Sequence, residues 1–86
     1  MQAVEKSCAL AALGTGHSGR LGAMALLPAE QQRMAELGLT AGTPVVVTKR
    51  SLWGGPLELR VRGCKLSLRR EVAQRIQVTS EAQHGH

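Results

Sequence analysis

The sequence predicts a mainly β fold, a small closed barrel of about five short strands. One short α-helix stands between the first two strands, and a helical turn precedes the last. Three observations carry this. Leu57–Glu71 alternates with period two: Leu57, Leu59 and Val61 share one face, and Glu58, Arg60 and Arg62 the other. After Gly63 and Cys64, Leu66 and Leu68 resume the apolar face opposite Lys65, Ser67 and Arg69, so two antiparallel strands join tightly around Gly63. Thr43–Thr48 is a β-branched run, and Pro28–Gly38 is bounded like a helix.

Met1–Ser7 is polar and reads as poorly anchored, and Cys8–Leu13 is a short apolar segment. Gly14, Gly16 and Gly19 mark a turn. Arg20–Leu27 reads as the first strand, its near-continuous apolarity fitting burial on much of both faces. Pro28 suits the first turn of a helix reaching Leu37, where its missing N–H costs nothing, and Glu30 favours the helix dipole. Gly38 then fits a left-handed cap, with Leu39 closing back on Met34. A turn through Ala41 and Gly42 leads to the second strand, which Pro44 can only begin or border. Lys49–Pro56 is a loop turning at Gly54-Gly55-Pro56. Arg69–Arg75 makes one helical turn, and Ile76–Thr79 is the last strand. Residues 1–79 thus form one domain, and 80–86 a polar, frayed tail.

The core must be aliphatic, because Trp53 is the only aromatic residue in 86. Eleven Lys and Arg against six Glu and no Asp leave a net charge of +5. Seven of the cations lie between Lys49 and Arg70, with Glu58 the one acid among them. So local an excess favours an acidic partner, a membrane surface or nucleic acid. Cys8 and Cys64 show no motif spacing and read as free thiols of a reducing compartment. No signal peptide is evident, and no stretch approaches the ~20 apolar residues of a membrane span. A cytoplasmic protein is the expectation.

Two blocks resemble the FeoA family of bacterial ferrous iron uptake. They are R-M-A-E-L-G-L-T-A-G-T-P-V-V-V at 33–47 and G-G-P-L-E-L-R-V-R-G-C-K-L-S-L-R-R-E at 54–71. The resemblance implies an SH3-like barrel and a role beside FeoB, the membrane iron transporter with a cytoplasmic G-protein domain. The same module ends some iron-dependent repressors, but this chain has no room for their helix-turn-helix, so the stand-alone form is expected. Cys64 departs from the family, which often places an aromatic or other large residue there.

The candidate partner-binding residues are Leu52, Trp53, Arg60, Arg62 and Lys65, with Lys49, Arg50, Arg69 and Arg70 nearby. The bland reading of these cations is a solvated outer face, and of Trp53 a lid over one barrel end. Nucleic acid ranks lower as a partner, because the basic face lacks interleaved aromatics for stacking bases. His84 and His86 are candidate ligands of a divalent metal, zinc or Fe²⁺, with His17 and Cys64 as further candidates. A metal held between two tails would bridge a weak homodimer, the one self-association the sequence suggests. No cofactor is required, and surface histidines without a metal are the bland reading. Gly14–Gly19 lacks the G-K-[ST] ending of a phosphate loop. Catalysis has little support, since no paired carboxylates or Ser–His set can be placed together; Glu58 reads as a salt-bridge partner of its arginines. The function expected is a non-enzymatic adaptor that binds and modulates a FeoB-type transporter. The alternatives are a small basic nucleic-acid-binding barrel and a divalent-metal carrier.

Overall fold

The computed structural model describes residues 6–80. Its strands are β1 (Lys6–Ala9), β2 (Ser18–Met24), β3 (Pro44–Arg50), β4 (Leu57–Val61), β5 (Cys64–Leu68) and β6 (Ile76–Ser80). Helix α1 spans Pro28–Glu36 and α2 Arg70–Ala73, and Leu10–Ala12 forms a 3₁₀ turn. All the strands belong to one antiparallel sheet in the order β1-β6-β2-β3-β4-β5.

The mainly β expectation holds, with corrections. The described residues form six strands rather than about five, because Lys6–Ala9 pairs along β6 from Lys6↔Ser80 to Ala9↔Gln77. Lys6 and Ser7 are therefore anchored in a sheet rather than loose. The sheet is also not closed: among the described residues β1 and β5 are its two edges and do not pair with each other.

Burial follows the alternation in the sequence. Leu57, Leu59 and Val61 are buried on β4, between Val45 and Val47 on β3 and Leu68 on β5. Leu21, Ile76 and Val78 extend the core from β2 and β6, Leu10 and Leu13 from the 3₁₀ turn and its C-cap, and Met34, Leu39 and Ala73 from the helices and their ends. A row of large aliphatic side chains withdrawn from water is the main source of stability available to so small a domain.

Helix α1 ends as its residues predict. Gly38 has φ +87°, its N–H donates to the Ala35 carbonyl at 3.0 Å, and the Leu39 N–H donates to the Met34 carbonyl at 2.8 Å. Both Leu39 and Met34 are buried, which completes a Schellman ending with its apolar latch. At the other end, a carboxylate oxygen of Glu30 accepts the Leu27 N–H at 3.0 Å. The reciprocal half of a capping box is missing, because Leu27 carries no side-chain acceptor.

The strand expected at Arg20–Leu27 is β2, which runs Ser18–Met24 and is not buried on both faces: Ala23 is exposed. Its register shifts between Leu21 and Met24, and Leu27 is exposed as the extended residue before Pro28. Lys49 and Arg50, expected in a loop, extend β3, paired with Glu58 and Leu57.

Candidate functional site

The β4–β5 hairpin sets the basic surface. Arg60 lies directly opposite Lys65 on β5 and opposite Val46 on β3, so all three share the outer face of the sheet. Arg60 and Lys65 are both exposed. Among the described residues none of Arg60, Arg62, Lys65 and Arg69 forms an ion pair. Glu58, expected to neutralise its arginines, makes no ion pair in this region. Its backbone carbonyl accepts the Thr48 hydroxyl at 3.1 Å, and its carboxylate lies 3.5 Å from the same hydroxyl.

Arg62 is not on the strand face. Val61 pairs with Cys64, which leaves Arg62 and Gly63 as a two-residue turn, with φ +53° and +83°. Positive φ at both central residues is the pattern of a type I′ turn, whose twist matches that of the flanking strands. Arg62 therefore projects from the hairpin tip, beside rather than in the row of Arg60 and Lys65.

Leu52 and Trp53 lie in the loop that precedes β4, so β4 separates them from Arg62. A five-residue strand places its ends about 13 Å apart. The expected single patch thus divides into a hairpin surface and a loop surface. Trp53 is 94% exposed and Leu52 89%, which excludes the reading of Trp53 as a lid on the barrel end.

Arg50 and Arg70 leave the basic row altogether. The Arg50 guanidinium donates to the Leu13 carbonyl at 2.7 Å, and that of Arg70 to the Ser51 carbonyl at 3.2 Å. The Ser51 hydroxyl donates to the Pro56 carbonyl at 3.1 Å and closes the neck of the loop. No sequence signal reports these clamps, because their acceptors are backbone carbonyls far along the chain. Beside the loop lies an open cleft of about 670 Å³, walled by the Gly54–Pro56 segment, Arg69, Arg70, Glu71 and Gln74.

The pair that joins α1 to the segment after α2 was also not read from the sequence. Arg75 meets the Glu30 carboxylate with two nitrogens, at 3.1 and 3.2 Å. The Leu27 N–H and then the Arg75 guanidinium stabilise the charged form of Glu30 and hold its pKa below the usual 4.5.

The candidate metal ligands do not converge. Among the described residues no three His, Cys, Asp or Glu side chains form a group that could hold a metal ion. His17 flanks β2 while Cys64 begins β5, three strand spacings or about 14 Å away in the sheet order. Both cysteines are free thiols, Cys8 on one edge strand and Cys64 on the other. His84 and His86 lie outside the described residues. No described helix is long and apolar enough to cross a membrane.

Comparison with known proteins gives this arrangement a family. The model of the FeoA domain matches residues 8–80. No curated protein sequence matches the chain. Among solved structures, a FeoA protein from Chlorobium tepidum is 32% identical, with a TM-score of 0.80 over 90% of this chain and 74% of its own. A FeoA-like protein from Clostridium acetobutylicum is 25% identical, with a TM-score of 0.80 over 94% of each chain. The zinc-complexed FeoA of Stenotrophomonas maltophilia is 27% identical, with a TM-score of 0.68 over 80% of this chain and 86% of its own. That protein is described as a prokaryotic SH3 domain protein and a possible ferrous iron transport activating factor. With an SH3-like sheet throughout and a domain match over nearly its whole described length, the chain belongs to the FeoA family.

Proposed function

We propose that the chain is a non-enzymatic accessory protein of ferrous iron uptake that docks on the cytoplasmic side of a FeoB-type transporter and modulates it. The observation that carries this is the Arg60–Lys65 pair. Like charges directly opposite on neighbouring strands destabilise a hairpin, and no described acid relieves these two. A residue pair kept against the fold's own stability fits a surface that meets an acidic partner. Such a surface acts mainly on encounter rate and orientation, and Arg62 at the hairpin tip extends it. Leu52 and Trp53 leave from the other end of β4 and lie outside this hairpin surface.

The test is association with a FeoB-type transporter in membranes, measured by surface plasmon resonance. Arg60→Glu combined with Lys65→Glu should slow association by about tenfold at low salt, the scale of electrostatic steering. Circular dichroism should show an unchanged fold. Association and iron uptake equal to the parent protein would make this face solvated surface and end the reading.

A further inference from the structure

We propose that the Ser51–Pro56 loop is a membrane-surface contact: Leu52 and Trp53 enter the interface of an anionic bilayer while Arg69 and Arg70 receive a lipid phosphate in the adjacent cleft. The proposal goes beyond docking on a transporter and does not depend on it.

The loop is built to present its tip. Its neck is closed by Ser51 on the Pro56 carbonyl and pinned by Arg70 on the Ser51 carbonyl. The end of β3 is held by Arg50 on the Leu13 carbonyl. From this fixed base, two adjacent large apolar side chains stand almost wholly in water. Isolated exposed apolar residues are ordinary, but an adjacent pair on a convex, clamped tip is poorly shaped for a flat protein partner. A bilayer interface receives such a tip without needing a matching pocket, and tryptophan is enriched at headgroup level because its ring is amphipathic.

The charges beside the tip fit the same occupant. Lys49 and Arg69 are exposed, and Arg69 and Arg70 wall the cleft next to Gly54–Pro56. Arg70 is fixed by its bond to the Ser51 carbonyl and its Nε is buried, so exposed Arg69 and the remaining Nη of Arg70 are the nitrogens that a phosphate would meet. Guanidinium groups match phosphate oxygens in geometry as well as charge. Glu71 is the one acid in the cleft wall, and it disfavours a strongly anionic headgroup less than the two arginines favour it. One Leu and one Trp give only weak, reversible adhesion, so the cationic share is needed for measurable binding, and anionic lipid supplies it.

Trp53 is the only tryptophan, so its fluorescence reports the tip directly. The full chain is titrated with vesicles of phosphatidylglycerol and with vesicles of phosphatidylcholine, both free of any transporter. Emission is followed together with cosedimentation. With phosphatidylglycerol the emission should shift to the blue and the protein should pellet. Leu52→Ser should weaken partitioning by about tenfold, the scale of one lost apolar anchor, and Lys49→Glu with Arg69→Glu by at least about thirtyfold, since two cationic anchors are lost and reversed. Circular dichroism checks that each variant keeps its fold. An emission maximum unmoved by phosphatidylglycerol overturns the proposal, as does equal pelleting with phosphatidylcholine. Stabilisation by inorganic phosphate that Arg69→Glu removes, without pelleting on vesicles, would assign the cleft to a free anion and overturn it. Loss of transporter binding in Trp53→Ala without any vesicle binding would make the tip a protein contact and overturn it. Because the vesicles contain no transporter, failure here leaves the transporter reading standing.

Discussion

Arg62 shows how one residue can be misplaced by a correct pattern. The alternation of β4 continues through it in the sequence, but its φ of +53° puts it in the turn. An Asn-Gly or Asp-Gly pair would have announced a type I′ turn, and Arg-Gly does not. The left-handed region is unfavourable for a long side chain, and Asn tolerates it better. Arg62→Asn should therefore raise stability by about 0.5–1 kcal/mol, read as a higher urea midpoint with unchanged slope. A lower midpoint would show that the Arg62 side chain makes a compensating contact in solution. Two positions earlier the reverse holds. Arg60 points to water, but Leu59 is fully buried, and Leu59→Ala should cost about 2–5 kcal/mol. A loss under about half a kcal/mol, the scale of an ordinary surface substitution, would contradict the packing of β4.

Among the elements, those fixed by local chemistry were legible and those fixed by distant partners were not. The end of α1 could be read from E-L-G-L, because a left-handed cap and an apolar latch involve only neighbours. The β4–β5 hairpin could be read because its apolar face never breaks. β1 could not, since K-S-C-A carries no periodicity and becomes a strand only by pairing with β6, some seventy residues on. The end of β2 was overrun because Gly22 and Ala23 mark no face. The clamps by Arg50, Arg70 and Arg75 were hidden because charge alone suggests solvent or a partner, not a carbonyl or an acid elsewhere in the chain.

The Arg75–Glu30 link gives a prediction at this scale. The folded-state pKa of Glu30 is depressed, so its contribution is present above pH 4.5, the ordinary glutamate value, and is lost as pH falls through the lower folded value. Thermal unfolding of Glu30→Gln should thus approach that of the parent protein below pH 4.5 and fall short of it at neutral pH. A gap that persists unchanged into acid would mean that the link contributes by packing rather than by charge. The tail offers a second prediction. Since no three described side chains converge on a metal, Zn²⁺ binding seen by calorimetry in the full chain should vanish when residues 81–86 are removed. Binding that survives would move the site to His17 or the cysteines.

For the whole molecule, the sheet order explains why the two surfaces separate. β4 is interior to the sheet and β5 is its edge, so their hairpin carries Arg60 and Lys65 on an open outer face. The loop before β4 leaves from the other end of the same strand. Such a layout leaves the proposed docking face and the proposed bilayer contact free to act separately. It also opposes stability to function at Arg60. Arg60→Glu replaces a like-charge pair with an attractive one opposite Lys65 and should stabilise the fold by about 0.2–1 kcal/mol. The same change removes a cation from the proposed docking face and, on that proposal, should slow association with the transporter. The slowing should shrink in high salt, where the Debye length falls to about 3 Å at 1 M. Arg60→Ala separates the two contributions. It relieves the repulsion without adding attraction, so it should fall between parent and Arg60→Glu in both stability and association rate. If Arg60→Glu is more stable and associates as fast as the parent protein at every salt concentration, the repulsion serves no encounter and Arg60 lies outside the docking face. If it is less stable, Arg60 and Lys65 are not opposed in solution as the register places them.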